Sequence, residues 1–421
     1  MKYAEQAQRR RQLAEMTEDN SLTLLFSGLP KQKSLDQDFP FAVDRDFFYF
    51  TGLDEPGDIL LLFRRENNRG EKLFIPRPDP HRELYHGQAA DTAVYREETG
   101  IEEVLYLDRF DWELGRLLAA GNIRYLYLDF QNRWSLNPGE DPENAAARRI
   151  LAVHPYLKVR NLGPLAADQR RIKSPEELAD IREAVRITGL ALEGILEDLA
   201  PGVSEKSLEA RGEFEMKKAG SPGYAFNPIV VGGANSVILH YEKNNQVLAP
   251  GDLVLFDLGA EYNHYSADIS RTFPVSGVFT EQQRFFYRAV LTAQEKVASV
   301  LKPGLEIDKT LDIAREALFP FCREAGIAAE PEDMKKLLPH GVCHYLGLDT
   351  HDVGHRDILA PGMVITIEPG LYLPQFGFGI RIEDDVEITE KGCRPLPVGG
   401  PKTPEEIESF FEDRKKRKSG A

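Results

Sequence analysis

The sequence predicts an α+β domain, an antiparallel sheet backed by helices, over residues 170–405, preceded by an α/β domain over residues 1–165. Three observations carry this reading. At 421 residues the chain is too long for one ordinary core. Residues 1–165 alternate short apolar runs with helical spacing. Residues 170–405 set long helical patterns against strongly β segments, several of which hold an acidic residue. A basic tail, 406–421, closes the chain and reads as a frayed helix end.

In the first domain, residues 9–16 read as a polar helix. Residues 21–27 (SLTLLFS), 59–63 (ILLLF) and 72–75 (KLFI) are apolar runs bounded by glycine, proline or charge, and read as strands. Residues 104–107 and 125–128 continue that pattern, with helical spacing over 111–120 between them, so a mixed sheet is expected. Residues 132–143 are polar, contain proline and glycine, and read as a loop. The domain boundary falls within 162–173. There Ser174 is an N-cap, Pro175 takes the first helical position and Glu177 completes a capping-box spacing. The helix so started runs to about Leu199, where Pro201 and Gly202 stop it. Further helices are expected at 204–219, 280–301 and 307–325, and strands at 253–258, 268–274, 363–368 and 379–388.

Composition excludes several classes. A net charge of −16 opposes a nucleic-acid partner, because a polyanion is repelled. No stretch reaches the roughly 20 apolar residues of a membrane span. The three cysteines, Cys322, Cys343 and Cys393, form neither a paired framework nor a CxxC motif. With no apolar leader at the N-terminus, they point to the cytoplasm.

The chemistry lies in four acids and a histidine cluster. Asp257 sits inside an apolar strand (LVLFDL), Asp268 opens the next, Glu368 ends another (MVITIE) and Glu383 lies in a fourth (GIRIEDDVEI). Each half of the domain thus repeats a strand ending in an acid followed by a strand carrying another. One such acid can be met by a salt bridge or by water at a strand end. Four of them, matched only by Arg271 and Arg381, call for a shared positive charge, which divalent ions provide. His340, His344, His351 and His355 lie between the acid pairs. Imidazole is the usual neutral nitrogen ligand, and mostly oxygen ligands with one nitrogen suit a hydrolytic ion that keeps positions open. Carboxylates can also bridge two ions, whose shared water is then a hydroxide near neutral pH.

The order Asp, Asp, His, Glu, Glu resembles the methionine aminopeptidase, creatinase and proline-peptidase superfamily, the pita-bread fold. The resemblance rests on DLGAEYNHYSADISRTF, HGVCHYLGLDTHDVG, ITIEPGLY, GIRIEDD and PIVVGGANSVILHY, the last supplying His240. It covers residues 170 to 395, and FPFAVDRDFFYFTGLDEPGDILLLF is similar to the leading, creatinase-like domain of Xaa-Pro aminopeptidases. The resemblance implies a peptidase with two divalent ions, manganese first and cobalt or zinc as alternatives. It would release the N-terminal residue from Xaa-Pro peptides by attack of a metal-bound hydroxide. Asp257 would bind one ion, Asp268 and Glu383 would bridge, and His344 and Glu368 would complete the second, with Glu368 also carrying the proton. His240 and His351 would sit beside the scissile carbonyl and leaving nitrogen. His340 and Arg381 would shape the proline pocket, with Tyr372 as a supporting contact. Arg381 could equally serve to neutralise the acids. His264 and His355 match no role, and Cys343 reads as a packing residue. The leading domain, on its aromatic FFYF patch, would form a cleft wall and the contacts of a homodimer or homotetramer.

Two departures stand out. Phe226 occupies a position where some proline peptidases have tyrosine, and the stretch from Glu368 to Glu383 is short, which bears on substrate length. The main rival activity is an Xaa-Pro dipeptidase, which would need a cation for the free carboxylate. A non-catalytic peptide-binding module on the same fold is the remote rival, opposed by the five intact ligand positions.

Overall fold

A computed structural model describes residues 3–66, 68–87, 91–119, 122–130, 142–354 and 358–420. The chain forms two compact units, Met1–Gln169 and Arg170–Ala421. No helix among the described residues is long and apolar enough to cross a membrane.

The first unit is built on a mixed six-stranded sheet. Its order is Val104–Tyr106, Asn68–Ile75, Ile59–Arg65, Ser21–Phe26, Tyr125–Leu128 and Lys158–Asn161. The central strand Ser21–Phe26 pairs antiparallel with Ile59–Arg65 and parallel with Tyr125–Leu128. Alternate residues Leu22, Leu24, Leu126 and Leu128 pack with Leu114, Leu117 and Leu118 of the helix Phe110–Ala119. The edge strand Lys158–Asn161 (KVRN) was not expected, because a single apolar residue in an exposed edge leaves no alternation to read. The expected loop at 132–143 lies outside the described residues except for Pro142 and Glu143, which open the helix Pro142–Val153.

The aromatic patch is a correction. Residues Arg45–Thr51 form a short helix that Asp44 caps by accepting from the backbone of Asp46 and Phe47, and Gly52 ends it in a left-handed conformation. Phe47, Tyr49 and Phe50 are then core residues, 0–3% exposed. Most of the patch is thus packed into the first unit, and only Phe48 remains half-buried.

The second unit pairs its strands antiparallel throughout, in small sheets. One joins Ile229–Gly232, Leu253–Leu258 and Ile269–Pro274; another joins Val364–Ile367, Asp384–Thr389 and Gly392–Pro395; Gly370–Leu373 pairs with Phe378–Arg381. The helix Pro175–Asp198 carries the expected capping box of Ser174 and Glu177. A second capping box, Thr280 with Gln283, opens the helix Glu281–Val300, whose Phe286 packs on Phe376 and Phe378 behind the strands.

Two expectations are revised here. The single strand expected at 379–388 is broken between Arg381 and Asp384. The break allows Arg381 to pair with Gly370 and Asp384 with Ile367. The tail is no frayed end. Thr403 and Glu406 form a capping box, and the helix Pro404–Ser419 buries Ile407 and Phe411.

Candidate active site

Three of the four acids sit where strands begin, end or break, and Asp257 sits within one. Asp257 lies in Leu253–Leu258, opposite Ser270. Asp268 immediately precedes Ile269–Pro274, and Glu368 lies between Val364–Ile367 and Gly370–Leu373. Glu383 lies in the break after Arg381, held by its N–H on the Ser270 carbonyl at 3.0 Å. Asp257 and Asp268 are brought together by the hairpin Glu261–Tyr262/Tyr265–Ser266. Asn263 and His264 form its turn with positive φ, so His264 is a turn residue. Gly259 permits the close approach, since a Cβ there would stand 1.7 Å from the Ala267 carbonyl oxygen.

Ligand atoms converge in three overlapping groups, each within 4.8 Å: Asp257, Asp268 and Glu383; His344, Glu368 and Glu383; and Asp268, His344 and His351. Asp268, Glu383 and His344 each belong to two of them. Asp257 Oδ1, Asp268 Oδ1 and Glu383 Oε1 are buried without a hydrogen-bond partner. Burial, then the neighbouring acids, drive Asp268 and Glu383 well above the usual carboxylate range. Burial likewise pushes Glu368 up to about 7. Buried lone pairs pointed at one another, with one imidazole among them, fit divalent cations, whose charge would remove the mutual repulsion.

His344 is prepared for such a role. Its backbone N–H donates to Thr366 Oγ1 at 3.2 Å. Its Nδ1 faces the Tyr345 carbonyl oxygen at 2.9 Å and takes the proton there. The lone pair of Nε2 then points inward, 3.4 Å from Asp268, 3.7 Å from Glu368 and 3.9 Å from Glu383.

A second network lies beside the acids. Arg381, 4% exposed, donates to Asp257 Oδ2 at 2.5 Å, to Ser270 Oγ at 2.9 Å and to the Tyr372 hydroxyl at 2.8 Å. Its guanidinium is turned to a ligand acid, a geometry that serves the neutralising role. The Tyr372 hydroxyl lies 2.8 Å from His340 Nε2, and His340 Nδ1 donates to the Gly341 carbonyl at 2.6 Å. Both ring nitrogens of His340 are thus engaged within the protein. Burial, then the Arg381 charge, pull its pKa down to about 4, so it is neutral. His351 is exposed, with its ring centroid 4.2 Å from that of His344. Although the residue as a whole is exposed, desolvation of its ring where it meets its neighbours, then the charges of His344 and His240, lower its pKa to about 4. His240 is exposed on the segment after the turn 233–237. His355 lies outside the described residues. Phe226 packs toward Gly259, beside the Asp257 strand.

Several residues behind the site escaped the sequence reading. Ser270 Oγ donates to Glu383 Oε2 at 2.8 Å. Asp385, 0% exposed, accepts from the Asp268 N–H at 3.1 Å. Gln294 Nε2 donates at 3.2 Å to the carbonyls of Ile367 and Ile382, the residues just before Glu368 and Glu383. It thereby satisfies both strand breaks at once. The EDD run was the one visible signal for Asp385; nothing local marks Ser270 or Gln294.

Comparison with known proteins matches residues 179–390 to metallopeptidase family M24 and residues 6–127 to the aminopeptidase P N-terminal domain. The Xaa-Pro aminopeptidase of Escherichia coli (strain K12) is 33% identical over 97% of this chain and 98% of its own length. Xaa-Pro aminopeptidase 3 of Homo sapiens is 34% identical over 90% of this chain and 78% of its own. The solved structure of E. coli aminopeptidase P with the inhibitor Pro-Leu superimposes with a TM-score of 0.89 at 32% identity, covering 98% of each chain. The second unit is accordingly a pita-bread domain, and the chain belongs to metallopeptidase family M24, preceded by an aminopeptidase P N-terminal domain.

Proposed function

We propose that this protein is a dinuclear metal-dependent Xaa-Pro aminopeptidase, releasing the residue before a proline at a peptide N-terminus. The observation that carries the reading is the pair of ligand groups sharing Glu383, with buried carboxylate oxygens left unpartnered. End-to-end similarity to Xaa-Pro aminopeptidases supports the substrate class. Asp257, Asp268, His344, Glu368 and Glu383 would hold two divalent ions, with Asp268 and Glu383 shared. Manganese is the metal we favour, with cobalt or zinc as alternatives, since oxygen-rich sites with one imidazole accept all three.

Bound there, such ions supply Lewis acidity and a nucleophile at neutral pH. The protein's own groups do the rest. Glu368 carries a proton to the proline nitrogen, which has no hydrogen of its own and leaves only once protonated. His351 and His240 present imidazoles to the scissile carbonyl and the leaving nitrogen. Arg381 fixes Asp257 through a charge-assisted bond, and Tyr372, itself bonded to His340, holds Arg381 from the other side. Because Arg381 is committed to Asp257, it is not available to receive the free carboxylate of an Xaa-Pro dipeptide.

The three cysteines, all unpaired, support a cytoplasmic enzyme. A homodimer or homotetramer is the assembly we favour, as the family resemblance implies.

Hydrolysis of Ala-Pro-Ala and Ala-Pro by the purified chain, with and without added Mn²⁺, tests the reading. Metal-dependent cleavage of the tripeptide before proline is expected. Cleavage of the dipeptide alone would make the protein a dipeptidase, and cleavage of neither would remove the substrate assignment.

A further inference from the structure

The loop that follows His344 carries His351, and a buried ion cluster anchors that loop from behind. The side chain of Asp352 is 1% exposed, and its partners Arg170 and Lys173 are 2% and 1% exposed. Asp352 Oδ1 accepts from Arg170 Nη2 at 2.5 Å, and Oδ2 accepts from Lys173 Nζ at 2.8 Å. Arg170 Nη2 also donates to Asp349 Oδ2 at 2.8 Å, gripping the same loop at a second point. Burial raises the Asp352 carboxyl, but Lys173 and then Arg170 outweigh it and hold the group below the usual carboxylate range.

The backbone closes the loop. Asp352 N–H donates to the Tyr345 carbonyl at 2.9 Å, Gly347 N–H to that of Asp349 at 3.1 Å, and Ser266 N–H to that of Gly347 at 2.8 Å. A Cβ on Gly347 would stand 2.2 Å from Asp352 Oδ2 and 3.0 Å from Lys173 Cε, so the cluster packs against bare backbone.

Burying three charges gives little net stability compared with apolar packing of the same volume; what a well-paired cluster offers is a defined position. The residue next to Asp352 is His351, whose ring lies over the ring of His344. We propose that Asp352 is a positioning residue. Clamped between Arg170 and Lys173, it fixes His351 over His344 and so places the His351 imidazole against the substrate. The catalytic part of this inference rests on the reading of His351 given under the proposed function.

The test compares Asp352→Asn, His351→Ala and the double variant of the metal-loaded full chain on Ala-Pro-Ala. It is paired with the imidazole ¹H–¹³C resonances of His351 in the diamagnetic zinc-loaded chain at fixed pH. Asp352→Asn should lower kcat by roughly ten- to a hundred-fold, the scale of a small misplacement, with KM within about twofold. It should cost nothing further in the His351→Ala background. The His351 resonances should move. A kcat close to that of the parent, an equal loss in the His351→Ala background, or unmoved His351 resonances would each overturn the proposal. Should Asp352→Asn fail to fold, Gly347→Ala, which displaces Asp352 without changing charge, is judged by the same readouts. If the parent chain cleaves no Xaa-Pro peptide, the proposed function fails while the resonances still decide the role of Asp352.

Discussion

Both units bury carboxylates without partners, and the two cases resolve differently. In the first unit Asp58 is 1% exposed and neither carboxylate oxygen has a hydrogen bond, although its N–H donates to Ser27 Oγ at 2.9 Å. Burial, then the Glu55 charge, push its pKa up to about 8. In the second unit Asp257, Asp268 and Glu383 are equally unpartnered at one oxygen each. The difference is convergence. Asp58 joins no group of ligand atoms among the described residues, whereas the others share their space with His344 and Glu368. A solitary buried carboxyl is neutralised by keeping its proton. Several acids whose lone pairs meet at an imidazole are neutralised by a cation. Burial alone therefore does not mark a metal site; shared direction does.

Removing a shared ligand should have the largest effect. Asp268→Ala or Glu383→Ala is expected to lower kcat/KM by about 10³-fold or more and to release bound metal, as a chelator would. Metal analysis alongside the assay decides, and a variant retaining both metal and turnover would break the contrast between the two regions. Glu368→Gln keeps the shape but removes a proton carrier, and kcat should fall by roughly 10² to 10⁴. An unchanged pH–rate profile with intact turnover would reassign that proton to another group.

Asp58 supplies the opposite test. Its folded pKa of about 8 lies above the ordinary 3.8, so the proton it holds stabilises the folded state. That contribution is complete below about pH 3.8 and is lost as pH rises through about 8. Asp58→Asn should therefore raise stability near pH 9 by about 2 kcal/mol or more and change little near pH 4. In a Trp134→Phe background the remaining tryptophan, Trp112, lies in the helix Phe110–Ala119 of the first unit, so its fluorescence during urea unfolding reports that unit. Equal midpoints for parent and variant at pH 9 would show that Asp58 is charged and solvated after all. Added Mn²⁺ should leave this transition in place. The mildest change is Ser270→Ala, which removes one hydrogen bond to Glu383 and should weaken metal binding by about tenfold. Unaltered affinity would mean that Arg271, on the Glu383 carbonyl, and the Ser270 backbone hold Glu383 unaided.

The legible parts were those with a local cause. The capping box at Ser174 and Glu177, the apolar runs of the first sheet and the helix after Thr280 follow from contacts within four residues. The acids and His344 stood out because charges inside apolar runs demand compensation. What remained hidden had its partners far along the chain. Gln294 answers carbonyls 73 and 88 positions away, and Ser270 reaches Glu383 across 113. The FFYF run illustrates the same limit, since its aromatic content was visible but the side on which it packs was not.

By itself the sequence determined an α/β domain followed by an α+β domain and several of their helices and strands, and it offered the candidates for the chemistry, because composition, periodicity and capping act over a few residues. Only the tertiary structure decided that Arg381 clamps Asp257, that a strand breaks at Glu383, and that Asp352 is locked between Arg170 and Lys173. Those outcomes depend on which distant groups share a buried space, where a polar atom must be answered by whatever lies beside it.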